Sequence, residues 1–337
     1  MLFPCPHWGT GQQSKKQKKY KQNALNNNIM KKLIIILGLI VTLSAQAQQD
    51  PMFTHYMYNT IMVNPAYAGS RDALTITGIN RNQWVGFDGA PITQTLTVHS
   101  PIGSDQIGLG CSVIQDKIGP TKSTSVYADF AYRIRLSQKS KLAFGIKGGY
   151  SFFSADLPSL LLNQQTDVDF AQRIENRPMP NFGFGLYYTR ERFYAGISTP
   201  KLLKNNYYSG TTLATLSAAK EQGHYYFIMG SVFSLSKFVD FKPSGLIKIT
   251  KGAPLETDLS ALFEFDKKLM AGAMYRTGDA FGVLVGLNIT DQLSLGYSFD
   301  FSTTNTTVKY NQGSHEIMIR YDFLYSNIHR IKSPRYF

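Results

Sequence analysis

The sequence predicts an all-β fold: a transmembrane antiparallel β-barrel of about 14 strands, with a plug-like N-terminal segment and a short periplasmic C-terminal tail. Three observations predict it. Segments of strict apolar/polar alternation recur between residues 73 and 323, the pattern of strands with one greasy and one polar face. The connections between them sort into a short set and a long set, as in barrels with tight periplasmic turns and extended outer loops. A secretory leader precedes all of this, and no later stretch has the roughly 20 apolar residues of a membrane helix.

The leader comes first. Met30-Lys31-Lys32 is followed by an apolar run from Leu33 to Leu43, then by the small-x-small triplet Ala45-Gln46-Ala47. That is a signal peptide over 30–47, with cleavage expected after Ala47. Residues 1–29 lie upstream of its methionine, so translation is expected to start at Met30. A basic nucleic-acid-binding arm is the competing reading of 1–29, and it makes little sense on an exported chain. Residues 1–47 hold seven lysines and no acid, so their removal takes the net charge from +13 to +6. This moderate balance does not support a nucleic-acid partner.

The segment 48–72 obeys neither helical nor strand periodicity. It reads QQDPMFTHYMYNTIMVNPAYAGS over 48–70. Asn64-Pro65 favours a turn and Gly69 permits a tight one. Exposing its large apolar side chains (Phe53, Tyr56, Tyr58, Ile61, Met62, Val63, Tyr67) to water would cost roughly 1.5–3 kcal/mol each. The segment is therefore expected inside the lumen or under the periplasmic mouth, as a plug or docking surface, with both mature termini periplasmic.

The barrel is expected over 73–323. Its strands read 73–82, 93–100, 106–116, 123–136, 141–153, 181–189, 193–198, 224–235, 244–250, 255–265, 269–277, 281–289, 293–301 and 314–323. The clearest alternation is in the fourth, where Val126, Ala128, Phe130, Tyr132, Ile134 and Leu136 share one face. Ser125, Tyr127, Asp129, Ala131, Arg133 and Arg135 share the other, and Asp129, Arg133, Arg135 and Lys147 should point into the barrel. The connections 101–105, 137–140, 190–192, 236–243, 266–268 and 290–292 are short, whereas 154–180, 199–223 and 302–313 are long. Tyr187, Tyr188, Tyr194, Tyr225, Tyr226, Tyr275, Tyr310 and Tyr321 fall near strand ends, where a bilayer girdle places its rings. The tail 324–337 carries Arg330, Lys332 and Arg335 without an acid. It suits either a periplasmic protein contact or a strap packed on the barrel base.

Catalytic chemistry has no signature here. The mature histidines (His55, His99, His224, His315, His329) lack metal-site spacing, and neither a nucleophile elbow nor a phosphate-binding loop occurs. Cys111 is a small side chain in an apolar row without a basic neighbour. Asp167 and Asp169 lack the glycine and glutamate that complete a calcium loop. No enzyme activity, cofactor or metal is expected.

Two blocks and the closing residues carry a resemblance. Asp50-Pro51 leads to Asn64-Pro65-Ala66-Tyr67-Ala68-Gly69; Arg81-Asn82-Gln83-Trp84-Val85-Gly86-Phe87-Asp88-Gly89-Ala90-Pro91 is followed by Ile92-Thr93; and the chain ends Ser333-Pro334-Arg335-Tyr336-Phe337. Together they resemble the PorP/SprF family of the type IX secretion system, outer-membrane proteins of Bacteroidetes. The resemblance implies a non-enzymatic role in secretion or surface anchoring of cargo such as gliding adhesins. The implied partners are secretion components, ring and motor proteins, cargo and outer-membrane lipid. A transport barrel for a solute or hydrophobic molecule is the alternative reading, and a soluble periplasmic β protein a further one.

Overall fold

The computed structural model describes residues 50–103, 105–159, 173–207, 220–303 and 311–323. Fifteen strand segments build a single antiparallel sheet. They are β1 (Leu74–Asn82), β2 (Ile92–Ile102), β3 (Ile107–Ile118), β4 (Thr121–Arg135), β5 (Ser140–Ala155), β6 (Ile174–Arg190), β7 (Phe193–Thr199), β8 (His224–Ser231), β9 (Phe233–Ser234), β10 (Val239–Thr250), β11 (Glu256–Phe265), β12 (Leu269–Arg276), β13 (Ala280–Asn288), β14 (Leu293–Ser302) and β15 (Ser314–Phe323). Each pairs with its sequence neighbour, except that β8 and β9 do not pair with each other and both pair with β10. The ring closes where β1 meets β15, from Leu74 opposite Phe323 to Asn82 opposite His315. β8 and β9 occupy one position in the wall, so the barrel has fourteen staves. The strands lie in one compact unit (Ala47–Lys251 with Leu255–Phe337).

The alternation is inside-out relative to a water-soluble protein. In β4, Ser125, Tyr127, Asp129, Ala131 and Arg133 are buried, while Val126, Phe130, Tyr132 and Ile134 are exposed. The same holds in β5, where Ser151 and Lys147 are buried and Ile146 is 52% exposed. In water such a continuous apolar surface would far exceed what a monomer exposes. In hydrocarbon it is the solvated face, and closure leaves no backbone edge without a partner. Among the described residues no helix is long and apolar enough to cross a membrane. Arg135 keeps the inward register but sits at the rim, 62% exposed and 3.5 Å from Asp105, so it does not line the interior.

Loops sort by end. The strand ends joined by 103–106, 136–139, 191–192, 235–238, 266–268 and 289–292 make a short-turn end, and those that border 83–91, 156–173, 200–223 and 303–313 lie at the opposite, long-loop end. The tight connections 119–120 and 277–279 also fall there, as do the ends of β10 and β11 at Thr250 and Glu256.

Strand limits differ from the sequence reading where proline occurs. β6 starts at Ile174 rather than 181, running through Pro178 and Pro180. That outer half pairs with β5 alone, since β7 joins only from Phe184 onward, so the missing N–H groups are tolerated at an edge. β10 starts at Val239 and contains Pro243. Across from it the neighbouring stave is interrupted at Val232 without a change of register: Ser244 pairs with Gly230 and Phe241 with Phe233. Val232 between them turns inward and donates its N–H to the Arg192 carbonyl at 2.9 Å.

The tyrosines also divide. Tyr225 and Tyr275 face outward as a girdle requires. Tyr187, Tyr194 and Tyr226 point inward instead, each buried to 3% exposure or less, because the lumen holds an apolar guest for them to pack on. Tyr310 lies outside the described residues, as do the expected signal peptide over 30–47, the tail 324–337 and Asp167 and Asp169.

Candidate functional site

The barrel interior is occupied by the segment Asp50–Arg71. Phe53, Tyr56, Met57, Tyr58, Ile61, Ala66, Tyr67 and Ala68 join inward residues of the wall in one buried cluster. Two short 3-10 turns, Thr60–Met62 and Pro65–Tyr67, compact the segment. Asn64 sets the second: its side-chain oxygen accepts from the Ala66 N–H at 3.0 Å, and its Nδ2 donates to the Leu186 carbonyl of β6 at 2.9 Å.

The segment touches staves all around the ring. The Tyr56 hydroxyl lies 3.1 Å from Ser244 of β10. The Tyr58 hydroxyl donates to the Met270 sulfur of β12 at 2.9 Å. Thr97 of β2 donates to Asn59 at 2.8 Å. Lys147 of β5 donates to the Ile61 carbonyl at 3.2 Å, Ser198 of β7 to Val63 at 2.6 Å, and Arg133 of β4 to Ala68 at 2.9 Å. Tyr67 meets the Tyr187 ring edge-on, centroids 5.5 Å apart.

Glycines in the inward rows make the fit possible. A Cβ at Gly108, Gly145 or Gly185 would collide with Ala68, with the Ala66 backbone or with Asn64. Strand glycine here marks close approach of a second backbone. Gly69 is required twice over: its φ is +70°, and a Cβ there would lie 2.9 Å from the Gly108 and Pro101 backbone.

Three polar clusters fasten the segment. At the long-loop end, Glu316 of β15 accepts the N–H groups of Thr54 (2.9 Å) and His55 (2.8 Å) and lies 2.7 Å from His55 Nδ1. Arg81 of β1 bridges Glu316 (3.1 Å), Asp300 (2.7 Å) and the Thr54 hydroxyl (3.0 Å). Arg81 thus joins the two sequence blocks in space. At the short-turn end, Arg71 pairs with Asp322 at 2.9 Å, and Thr75 donates to the same carboxylate at 2.6 Å. The third cluster holds the tip: Asp50 pairs with Lys201 at 2.8 Å, lies 3.6 Å from His224 Nε2, and its carbonyl accepts from Lys248 at 2.9 Å. Burial alone would raise the Asp50 carboxyl, but Lys201, His224 and Lys248 outweigh it and hold the group well below the ordinary carboxylate range. Burial likewise disfavours the charged Lys201, and Asp50 and Glu221 overcome it, raising its ammonium well above the usual lysine value.

These contacts also give the segment a direction. Asp50 sits with Lys201, His224 and Lys248 at the long-loop end, whereas β15 finishes at the short-turn end. The segment climbs the lumen from Arg71 to Asp50, antiparallel to β1, because its aromatic rings find apolar partners only within the barrel. Asp50 and the end of β15 therefore lie at opposite ends of the barrel.

The remaining motif residues shape the first long-end hairpin. The Gln83 N–H donates to the Pro91 carbonyl at 2.9 Å, and the Trp84 N–H to the Ser314 hydroxyl at 3.1 Å. Trp84 has φ +51°, Gly86 +91° and Gly89 +76°, and Gly119 donates to the Gly89 carbonyl at 2.8 Å. Thr93 points inward and donates to Asp116 at 2.6 Å. Pro51 lies beside Asp50 at the tip. Ser333, Pro334, Arg335, Tyr336 and Phe337 lie outside the described residues. Asp300, Glu316 and Asp322 were not singled out from sequence, yet each occupies an inward position of an alternating strand, which is a readable signal. Among the described residues no group of His, Cys, Asp or Glu has metal-holding geometry.

The family model for the type IX secretion system membrane protein PorP/SprF matches residues 45–321. The chain belongs to this family. The match takes in the lumenal segment as well as nearly all of the wall. No curated protein matches significantly. Among solved structures, the chain is similar to the Acinetobacter baumannii outer membrane protein Omp33 (9% identity, TM-score 0.44, 76% of this chain and 100% of that one). It is also similar to a Pseudomonas aeruginosa FadL homologue (14%, 0.43, 83% and 96%) and to the CymD monoaromatic hydrocarbon channel (12%, 0.46, 79% and 93%). These likenesses are distant, and the barrel assignment rests on the strand pairings. Fold and family together point to the outer membrane.

Proposed function

We propose that the chain is a non-enzymatic outer-membrane component of the type IX secretion system, assisting secretion or surface anchoring of cargo such as gliding adhesins. The observation that carries this reading is the family match over 45–321, which covers the guest segment together with its host wall. An occupied lumen suits a regulated or scaffolding barrel better than an open solute pore. In this reading the short-turn end faces the periplasm, where ring and motor components engage it. The connection from Arg71 into β1 lies at that end, so a partner there can reach the base of the segment.

The test is capture of the full-length protein from detergent-solubilised outer membrane. Recovery of type IX translocon, ring or adhesin components is expected, with a secretion defect in a deletion strain. A lone barrel with normal cargo secretion refutes the proposal. Selective liposome flux of a defined solute that persists after removal of 48–70 supports the transport alternative instead.

A further inference from the structure

We propose that the long-loop end of the barrel holds a binding site for a small amphipathic cation, an ammonium or guanidinium on a short apolar stem. A cavity of about 270 Å³ opens there between the tip of the lumenal segment and the upper parts of β3, β4, β5 and β6. Its walls are chiefly apolar and aromatic, with Phe53, Phe153, Tyr226, Met62 and Met179 among them. That size lies near the bottom of the range of about 300–1,000 Å³ typical of small-ligand sites. It admits one side chain or a small organic molecule, and excludes a lipid or an oligosaccharide.

The charges decide which. Asp50, Lys201 and Glu221 satisfy one another, with Lys201 at 2.8 Å from Asp50 and 3.3 Å from Glu221. Lys147 is paired with Asp129 at 3.3 Å. Asp116 is different. One of its oxygens accepts from Thr93 at 2.6 Å, and no lysine or arginine among the described residues lies within ion-pair distance. A half-buried carboxylate outside ion-pair distance of any described lysine or arginine, in a cavity that aromatic rings also line, is complementary to a cation with an apolar stem. A neutral sugar fits less well. The hydroxyls of Ser125, Tyr127 and Ser151, which would have to bind it, already bond each other at 2.7 and 2.8 Å. Lysine or arginine side chains and free organic amines share the required chemistry.

The experiment uses the full-length protein in detergent with ¹³C-labelled methionine methyl groups, because Met62 and Met179 report from the cavity itself. The probes are n-butylammonium, its neutral counterpart n-butanol, and N-acetyl-lysine-methylamide. Saturable shifts of the Met62 and Met179 signals with butylammonium, at least tenfold weaker with butanol, are expected. Asp116→Asn, checked for heat-modifiable gel migration, should weaken butylammonium at least tenfold. Asp156→Asn, which removes an exposed ion pair outside the cavity, should not. Binding of the blocked lysine as tight as butylammonium assigns the site to a polypeptide partner; binding of butylammonium alone assigns it to free amines. Equal shifts with butanol, or no shifts with any probe, overturn the proposal, and the butanol comparison does so even if the Asn variant fails to fold.

Discussion

Removing Glu316 should release the upper part of the lumenal segment while leaving the wall intact. Its fully buried carboxylate receives the Thr54 and His55 N–H groups, His55 Nδ1 and Arg81, all between 2.7 and 3.1 Å. Deleting one partner of such a cluster costs about 3–5 kcal/mol, because the donors left behind stay buried without acceptors. Arg81 keeps Asp300 at 2.7 Å, so the lower figure, about 3 kcal/mol, applies. At about 1.4 kcal/mol per tenfold, Glu316→Ala should speed amide exchange at Thr54 and His55 on the order of 100-fold. Hydrogen exchange read by mass spectrometry on the detergent-solubilised barrel measures this, with β4 and β5 amides as the unchanged reference. Glu316→Gln retains an acceptor and should fall between. Exchange at 54–55 within about twofold of the parent would refute the view that this carboxylate fastens the segment.

Other outcomes follow from the same geometry. Gly145→Val should expel the segment or block heat-modifiable folding, because a side chain there meets the Ala66 backbone, whereas Gly148→Val, with open space around it, should be neutral by the same gel assay. Lys147→Met should destabilise the barrel by about 3–5 kcal/mol in urea unfolding into lipid vesicles by stranding Asp129, and adding Asp129→Leu should recover much of the loss. The Asp50 contact has a defined pH sign. The folded carboxyl titrates below its free value, so the stabilisation is complete above about pH 4 and fades only as acid approaches the depressed value. A nitroxide at position 52, in a Cys111→Ser background, should stay immobilised from neutral pH to about pH 5 and loosen only in stronger acid; loosening near neutrality would contradict it.

Much of the wall was legible because a membrane barrel writes its two environments onto alternate residues. Val126 to Leu136 needed no tertiary information to sort. Pro178, Pro180 and Pro243 hid strand ends, since only the pairing partners show where an N–H is dispensable. Tyr187, Tyr194 and Tyr226 were misread as girdle rings because a tyrosine suits an interface or a lumen equally, and the guest that decides between them lies more than 100 residues away in sequence. The apolar surface of 50–71 called for cover in the lumen or under the mouth, but did not choose between them. The segment's direction was not legible, since that depends on where Glu316, Lys201 and Lys248 end up. Glu316, Arg320 and Asp322 were visible as the polar partners of Ile317, Ile319 and Tyr321, but strand alternation does not say what an inward charge will meet.

The clusters around Glu316 and Asp322 have a bearing on how the ring is made. β1 and β15 are the first and last staves, and their join is the seam where the sheet closes on itself. Arg81 and Thr75 belong to one side of that seam, Glu316 and Asp322 to the other, and Thr54, His55 and Arg71 are tied across it. Thr54, His55 and Arg71, made before any of the strands, therefore wait for β15 before these ties can form. Closing the seam completes them. The guest thus adds a second set of ties across the line where β1 and β15 already pair from Leu74 to Asn82, and the contents of the barrel help to hold its seam.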